Sequence, residues 1–280
     1  MSAAPTPQRR PADTHAAGTV ARHAMPAPSL GEARRRVHVY LPAEYGREEA
    51  AARRYPVVTL LHGWPGADGD WFTQAKAHAI ADALIARGEI PPVILVCPNG
   101  NARGLWMRTI YMNAQRGATR MEDYVARDLV AWTDATFRTR TTPGGRAVIG
   151  ISDGATAAFN LVIRHPDVFG AAGGHSGCFR LRREFSAFAI LGCGPGASRL
   201  LAEHSPALTA AGAAGRLRAI PLYFDCGAGD PEAADNRAFH ETLTGLGVPH
   251  AYHEFPGAHT WSYWSTHLPR SLKAIAGAMR

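Results

Sequence analysis

Apolar residues along the chain gather in runs of strand length separated by amphipathic stretches. The runs are VHVYLP (37–42), PVVTLLHG (56–63), PPVILVCPNG (91–100), RAVIGIS (146–152), VFGAAGGHS (168–176), IPLYFDCG (220–227) and HAYHEFPG (250–257). Several are nearly unbroken hydrophobic segments rather than alternating ones, as expected of strands covered on both faces. Between them the spacing predicts helices over 71–87, 120–138, 154–164, 235–246 and 261–278. The clearest is 120–138, where Val125, Leu129 and Trp132 fall at i, i+4 and i+7 on one stripe. Strand and helix in repeated succession imply right-handed crossovers and an α/β fold: a mostly parallel central sheet flanked by helices, with the first strands as an antiparallel edge. In such sheets ligands sit at the carboxyl ends of the strands, so the candidate chemistry is sought there.

Composition narrows the reading. The 280 residues, 46% hydrophobic and 19% charged, exclude a disordered or collagen-like chain. They suit one α/β domain over 18–280 after a flexible tail over 1–17. No run approaches the ~20 apolar residues of a membrane span, so no membrane association is expected. The start, MSAAPTPQRRPADTHAAG, lacks the apolar core of a secretory signal; the expected location is the cytoplasm, with export left open if the true start lies upstream. The net charge of +7 is concentrated at the front, where Arg9, Arg10, Arg22, Arg34, Arg35 and Arg36 against Asp13 and Glu32 supply +4 of it. The rest is near balance, and without a basic block interleaved with aromatics no nucleic-acid partner is expected. Cys97, Cys178, Cys193 and Cys226 show no C-x-x-C or His-partnered spacing, so no structural zinc is expected. Cys97 and Cys226 read as buried thiols, whereas a Cys178–Cys193 pairing and the oligomeric state stay open.

The residues at the strand ends carry the chemistry. Gly150-Ile151-Ser152-Asp153-Gly154 closes a strand and enters a helix, which is the G-x-S-x-G nucleophile elbow. Such a serine needs a histidine base and an acid, and in this fold class they follow it in the order Ser, Asp or Glu, His. Asp230 lies in the Gly-rich loop after IPLYFDCG, and His259 follows the next strand, HAYHEFPG. Both stand just past the carboxyl ends of successive strands, on the same edge as Ser152. Asp225, ending the same strand as Asp230, is the runner-up acid. The turn after PVVTLL, His62-Gly63-Trp64-Pro65-Gly66, predicts an oxyanion hole made by the backbone NH groups of Trp64 and Asp153. His62 itself reads as a buried histidine bonded to backbone.

These segments resemble a known family. LLHGWPGADGDW, GISDGA, FDCGAGD and EFPGAHTWSYW, with SLGEARRRVHVYLP near the front, are similar to the esterase branch of the α/β-hydrolases. That branch includes esterase D (S-formylglutathione hydrolase), feruloyl and enterochelin esterases and mycolyltransferases. The resemblance covers roughly 18–279 and implies an α/β-hydrolase fold with Ser152 as nucleophile, His259 as base and Asp230 as acid. It implies no cofactor and a small-molecule ester as partner. One departure is Asp153, where the family commonly carries Met, Leu or Gln. A bare carboxylate there would repel a developing oxyanion and stabilise an imidazolium, so Asp153→Asn is expected to raise turnover on a neutral ester or lower the pH at which activity rises.

The expected activity is hydrolysis of carboxylic esters through an acyl-serine, a mechanism that requires no metal and no organic cofactor. The alternatives are an acyltransferase using the same triad and a hydrolase-like binding module weakened by Asp153. Substrate selection is expected from 101–120, where Trp106 and Tyr111, with Trp64, would wall a pocket and Arg108 or Arg103 would meet an anionic group. The competing reading for Trp106 and Tyr111 is packing of that loop onto the sheet. Trp261, Trp264 and Leu268 follow helical spacing and read as core.

Overall fold

The computed structural model describes residues 17–102, 108–117, 119–183 and 185–279. In chain order the elements that position the site are β1 (Thr19–Ala27), β2 (Glu32–Leu41), β3 (Val57–Leu61), α1 (Ala77–Ala86), β4 (Ile94–Pro98) and α2 (121–136). They continue with β5 (Arg146–Ile151), α3 (Asp153–Arg164), β6 (Ala171–His175), α4 (Pro195–Glu203), α5 (Pro206–Leu217), β7 (Leu222–Gly227), α6 (Ala233–Gly245), β8 (Ala251–Phe255) and α7 (Trp261–Ala276).

The unbroken apolar runs become the centre of one eight-stranded sheet, ordered β1-β2-β4-β3-β5-β6-β7-β8. Every residue of β3, β4 and β5 is buried, because helices cover both faces. Within β4, Ile94 and Val96 face the layer holding α2, α3, α5 and α6, while Leu95 and Cys97 face α1 and α7. The pairs from β4 through β8 are parallel. β2 runs antiparallel to both β1 and β4, giving the expected antiparallel edge. Pairing of β2 with β4 begins at Val37 opposite Pro98, so Glu32 to Arg36 overhang the carboxyl end of β4.

Three differences from the periodicity have local causes. The stretch 71–87 divides into a single turn at Asp70–Thr73 and α1, because Lys76 takes a left-handed φ of 53° between them. Within α2 the segment Tyr124–Leu129 is π-helical; it still buries Val125 and Leu129, and Trp132 packs half-buried against them. Between β6 and β7 the chain forms α4 and α5, which the apolar pattern did not predict. α4 is only nine residues long and α5 is built mainly of alanine and glycine, yet each opens on proline, Pro195 and Pro206, the residue favoured at a first helical position.

Candidate active site

Ser152 lies between the last residue of β5 and the first of α3 with φ 52° and ψ −119°. This is a sparsely populated conformation for a residue with a side chain, and the surroundings hold it there. The Ser152 amide donates to the His175 carbonyl at 2.9 Å. A Cβ on Gly150 would come within 2.1 Å of the Gly154 carbonyl carbon, and one on Gly154 within 2.2 Å of the Leu61 carbonyl oxygen. Only glycine at both positions lets the strand turn back on the helix tightly enough to project the hydroxyl from the sheet.

The loops after β7 and β8 are joined backbone to backbone, the Gly229 amide donating to the Gly257 carbonyl at 2.8 Å. That junction carries Asp230 to His259. His259 Nδ1 lies 2.9 and 3.0 Å from the two Asp230 carboxylate oxygens, and its Nε2 lies 3.0 Å from Ser152 Oγ. The Asp230 side chain is fully enclosed, whereas the imidazole is 30% exposed and open to a substrate. Burial alone would raise the Asp230 carboxyl. Hydrogen bonds from His259, the Glu232 amide and the Ser176 hydroxyl outweigh it and hold the group below the usual carboxylate range. Ser176 has a φ of 56° and is wholly buried, and its Oγ accepts from the Trp264 indole at 3.0 Å. Sequence reasoning missed Ser176; its position one residue past the end of β6 was the available signal.

The turn after β3 faces this array. A Cβ on Gly63 would stand 3.0 Å from that of Ser152, so the two backbones nearly touch. Among the described residues no backbone carbonyl accepts a hydrogen bond from the Trp64 or Asp153 amide. Beneath the turn, His62 Nε2 accepts from the Gly100 amide at 2.9 Å, which leaves the proton on Nδ1 to donate to the Gly63 carbonyl at 2.7 Å. Burial lowers the pKa of this imidazole and keeps it neutral, so it acts as a fixed brace. Tyr111 belongs to the same brace. It is buried, and its hydroxyl donates to the His62 carbonyl at 3.0 Å. The structure thus packs Tyr111 under the turn after β3, away from the pocket wall foreseen for it.

Asp153 is not a bare charge. Its carboxylate is held in a fork by Arg108, Nε to Oδ2 at 2.7 Å and Nη2 to Oδ1 at 2.5 Å, with the side chains 12% and 4% exposed. The expectation of an unscreened repulsion at the elbow is therefore corrected, and so is that of Arg108 as a free anion receptor. Trp106 and Arg103 lie outside the described residues. A cavity of about 270 Å³ opens directly on Ser152 and His259, walled by Trp64, Trp261 and Trp264. Trp264 combines the core packing expected of it with this second role. Its ring meets that of His259 edge-on, with centroids 5.0 Å apart.

The family model described as "Putative esterase" matches residues 28–275. The chain belongs to the esterase family. An esterase of Mycobacterium tuberculosis is 28% identical over 249 residues, spanning 80% of this chain and 52% of the relative. An endo-1,4-beta-xylanase/feruloyl esterase of Xylanibacter ruminicola is 32% identical over 163 residues, spanning 56% of this chain and 22% of that protein. The chain thus spans about half the length, or less, of these curated relatives. A solved ferulic acid esterase superposes with a TM-score of 0.83 at 24% identity, covering 94% of this chain and 99% of the other. The α/β-hydrolase fold expected from the sequence is the fold observed.

Two other clusters in this esterase-family chain differ from the site in kind. Asp225, the runner-up acid, pairs with His175 at 2.9 and 3.0 Å, and His175 Nε2 lies 2.9 Å from Ser271 Oγ. All three residues are wholly buried, and the Ser271 hydroxyl donates to the Leu268 carbonyl at 3.0 Å. Asp225 is therefore committed to an interior network and does not reach His259. Cys178, Glu232 and Asp235 bring a thiol and two carboxylates within 4.8 Å of one another. Burial and the neighbouring carboxylates push the Cys178 thiol up to about 12, and Asp235 Oδ2 already accepts from the amides of Phe179 and Arg180.

Proposed function

We propose that the protein is a serine esterase that hydrolyses carboxylic esters through an acyl-Ser152 intermediate. The observation that carries this reading is the His259 imidazole, which bridges Ser152 Oγ at 3.0 Å and Asp230 at 2.9 Å on the rim of the sheet. Ser152 Oγ attacks the ester carbonyl while its proton passes to His259 Nε2. The oxyanion is received by the amides of Trp64 and Asp153, donors whose individual loss typically costs 10²- to 10³-fold in rate. Collapse breaks the carbon–oxygen bond to the alcohol, which departs with the proton from His259. Water then repeats the sequence on the acyl-serine and releases the acid. Asp230 orients the imidazole and compensates its charge in both halves.

The Arg108–Asp153 pair removes the reason for reading the site as a weakened binding module. The small tryptophan-walled cavity supports a short acyl chain or a single aromatic ring next to the scissile bond, in keeping with relatives that bear the names esterase and feruloyl esterase. The test is a panel of p-nitrophenyl and aryl esters of graded acyl length, run with the wild type and Ser152→Ala. Loss of about 10⁴-fold or more in hydrolysis is expected, together with loss of labelling by a fluorophosphonate. Undiminished hydrolysis by Ser152→Ala would sink the proposal.

A further inference from the structure

The overhang of β2 builds a second cavity beside the first. Glu32 to Arg36 extend past the carboxyl end of β4, and the loops after β3 and β4 rise opposite them. The space enclosed is about 460 Å³, and Gly66 lines both it and the tryptophan-walled cavity over Ser152. Its floor is rigid. The buried Arg35 guanidinium donates to the Asn99 carbonyl at 2.8 and 3.1 Å and also to the Asn101 carbonyl. It further holds both oxygens of Glu32, at 3.0 and 3.1 Å, so the one carboxylate in the lining is engaged. Asn101 Nδ2 in turn donates to the Gly66 carbonyl at 2.6 Å, tying this floor to the oxyanion turn.

The two remaining arginines are the exposed part of the lining. Arg34 is exposed and, among the described residues, has no ion-pair partner. Arg36 has only a long contact to Asp68, 3.5 Å, with 59% of its side chain exposed. Only the Arg36 end is exposed, Asp68 being buried at 2%, and at this length the guanidinium can turn to a competing ligand while its carboxylate partner stays in place. Asp68 has other partners to keep it, His38 at 2.9 Å and Asn99 at 3.0 Å.

We infer that this cavity is a second subsite, in which Arg34 and Arg36 recognise an anionic group, carboxylate or phosphate, carried by the ester away from the bond that is cleaved. The inference rests on the esterase reading of Ser152 and deepens it by naming a substrate class. Guanidinium groups are suited to either anion, since their planar forks match both geometries.

The experiment has two arms. The carboxylate arm compares mono-p-nitrophenyl esters of succinic, glutaric and adipic acid with p-nitrophenyl alkanoates of equal chain length. The phosphate arm compares 4-acetoxyphenyl phosphate with phenyl acetate. In at least one arm the anionic ester is expected to show kcat/KM about tenfold above its neutral partner, through a lower KM, and the preference is expected to shrink as salt rises from about 20 to about 500 mM. In the Arg34→Gln/Arg36→Gln double variant the anionic-to-neutral ratio is expected to fall toward one. Equal or better use of the neutral ester in both arms overturns the subsite, as does a preference that survives the double variant. Failure to hydrolyse any ester, neutral ones included, instead removes the esterase reading on which the subsite depends.

Discussion

Asp153 and Arg108 are 45 positions apart, and neither alone suggests the other. Read singly, a carboxylate after the nucleophile is a handicap and an arginine in a long loop is a substrate receptor. Paired, they neutralise each other and fasten that loop to the start of α3. Removing one partner exposes what the pair conceals: a carboxylate about 6 Å from the oxyanion at an effective dielectric near 20 is worth about 3 kcal/mol of repulsion, or about a hundredfold in rate. Arg108→Gln is therefore expected to lower kcat by ten- to a hundredfold, and adding Asp153→Asn to restore most of it. Rescue in the double variant, measured on a neutral aryl ester, separates charge compensation from simple loss of packing; additive losses would exclude it. Ser152, Asp230 and His259 were legible because each follows a strand on one edge of the sheet. The roles of Arg108, Tyr111 and Ser176 were not, because they depend on which loops meet in space.

The elements themselves were readable wherever burial imposes a period. The seven apolar runs all became strands, and α3, α6 and α7 formed close to their predicted ranges. Other pieces escaped: β1 exposes most of its residues at the sheet margin, α4 is only nine residues long, and α5 is built mainly of alanine and glycine. The elbow between β5 and α3 is the element on which the proposed chemistry depends most, and its tolerance is narrow. Gly150→Ala would drive a methyl to within 2.1 Å of the Gly154 carbonyl carbon, where only backbone movement relieves the overlap. The expected cost is about 3 kcal/mol or more, read as a lower urea midpoint, with turnover falling further than stability because the Ser152 hydroxyl is displaced. Unchanged midpoint and turnover would show that the elbow is looser than its geometry.

At the scale of the whole molecule, Glu122 joins three helices. It accepts hydrogen bonds from Arg164 at 2.8 Å, His165 at 2.7 Å and His204 at 2.9 Å, linking α2 to the ends of α3 and α4. Burial alone would raise this carboxyl, but His165, His204 and Arg164 together hold it well below the usual range. A depressed carboxyl contributes stability that is complete above its unfolded value, about 4.3, and is lost as pH falls through that value toward the folded one. Glu122→Gln should thus destabilise the protein by about 3 kcal/mol at pH 7, with the gap to wild type narrowing between about pH 5 and pH 3. A gap constant across that range, in urea titrations, would exclude the linkage. The same long-range geometry explains why the sequence left Asp225 in contention with Asp230. The two aspartates end up in separate serine–histidine–aspartate arrays of similar spacing, one at the solvent rim and one sealed beneath α7. The chain thereby supplies its own control: an electrophilic probe should modify one serine per molecule, and peptide mapping should find Ser271 untouched. Admission of solvent and reagent, more than the arrangement of three side chains, divides a reactive centre from an internal strut.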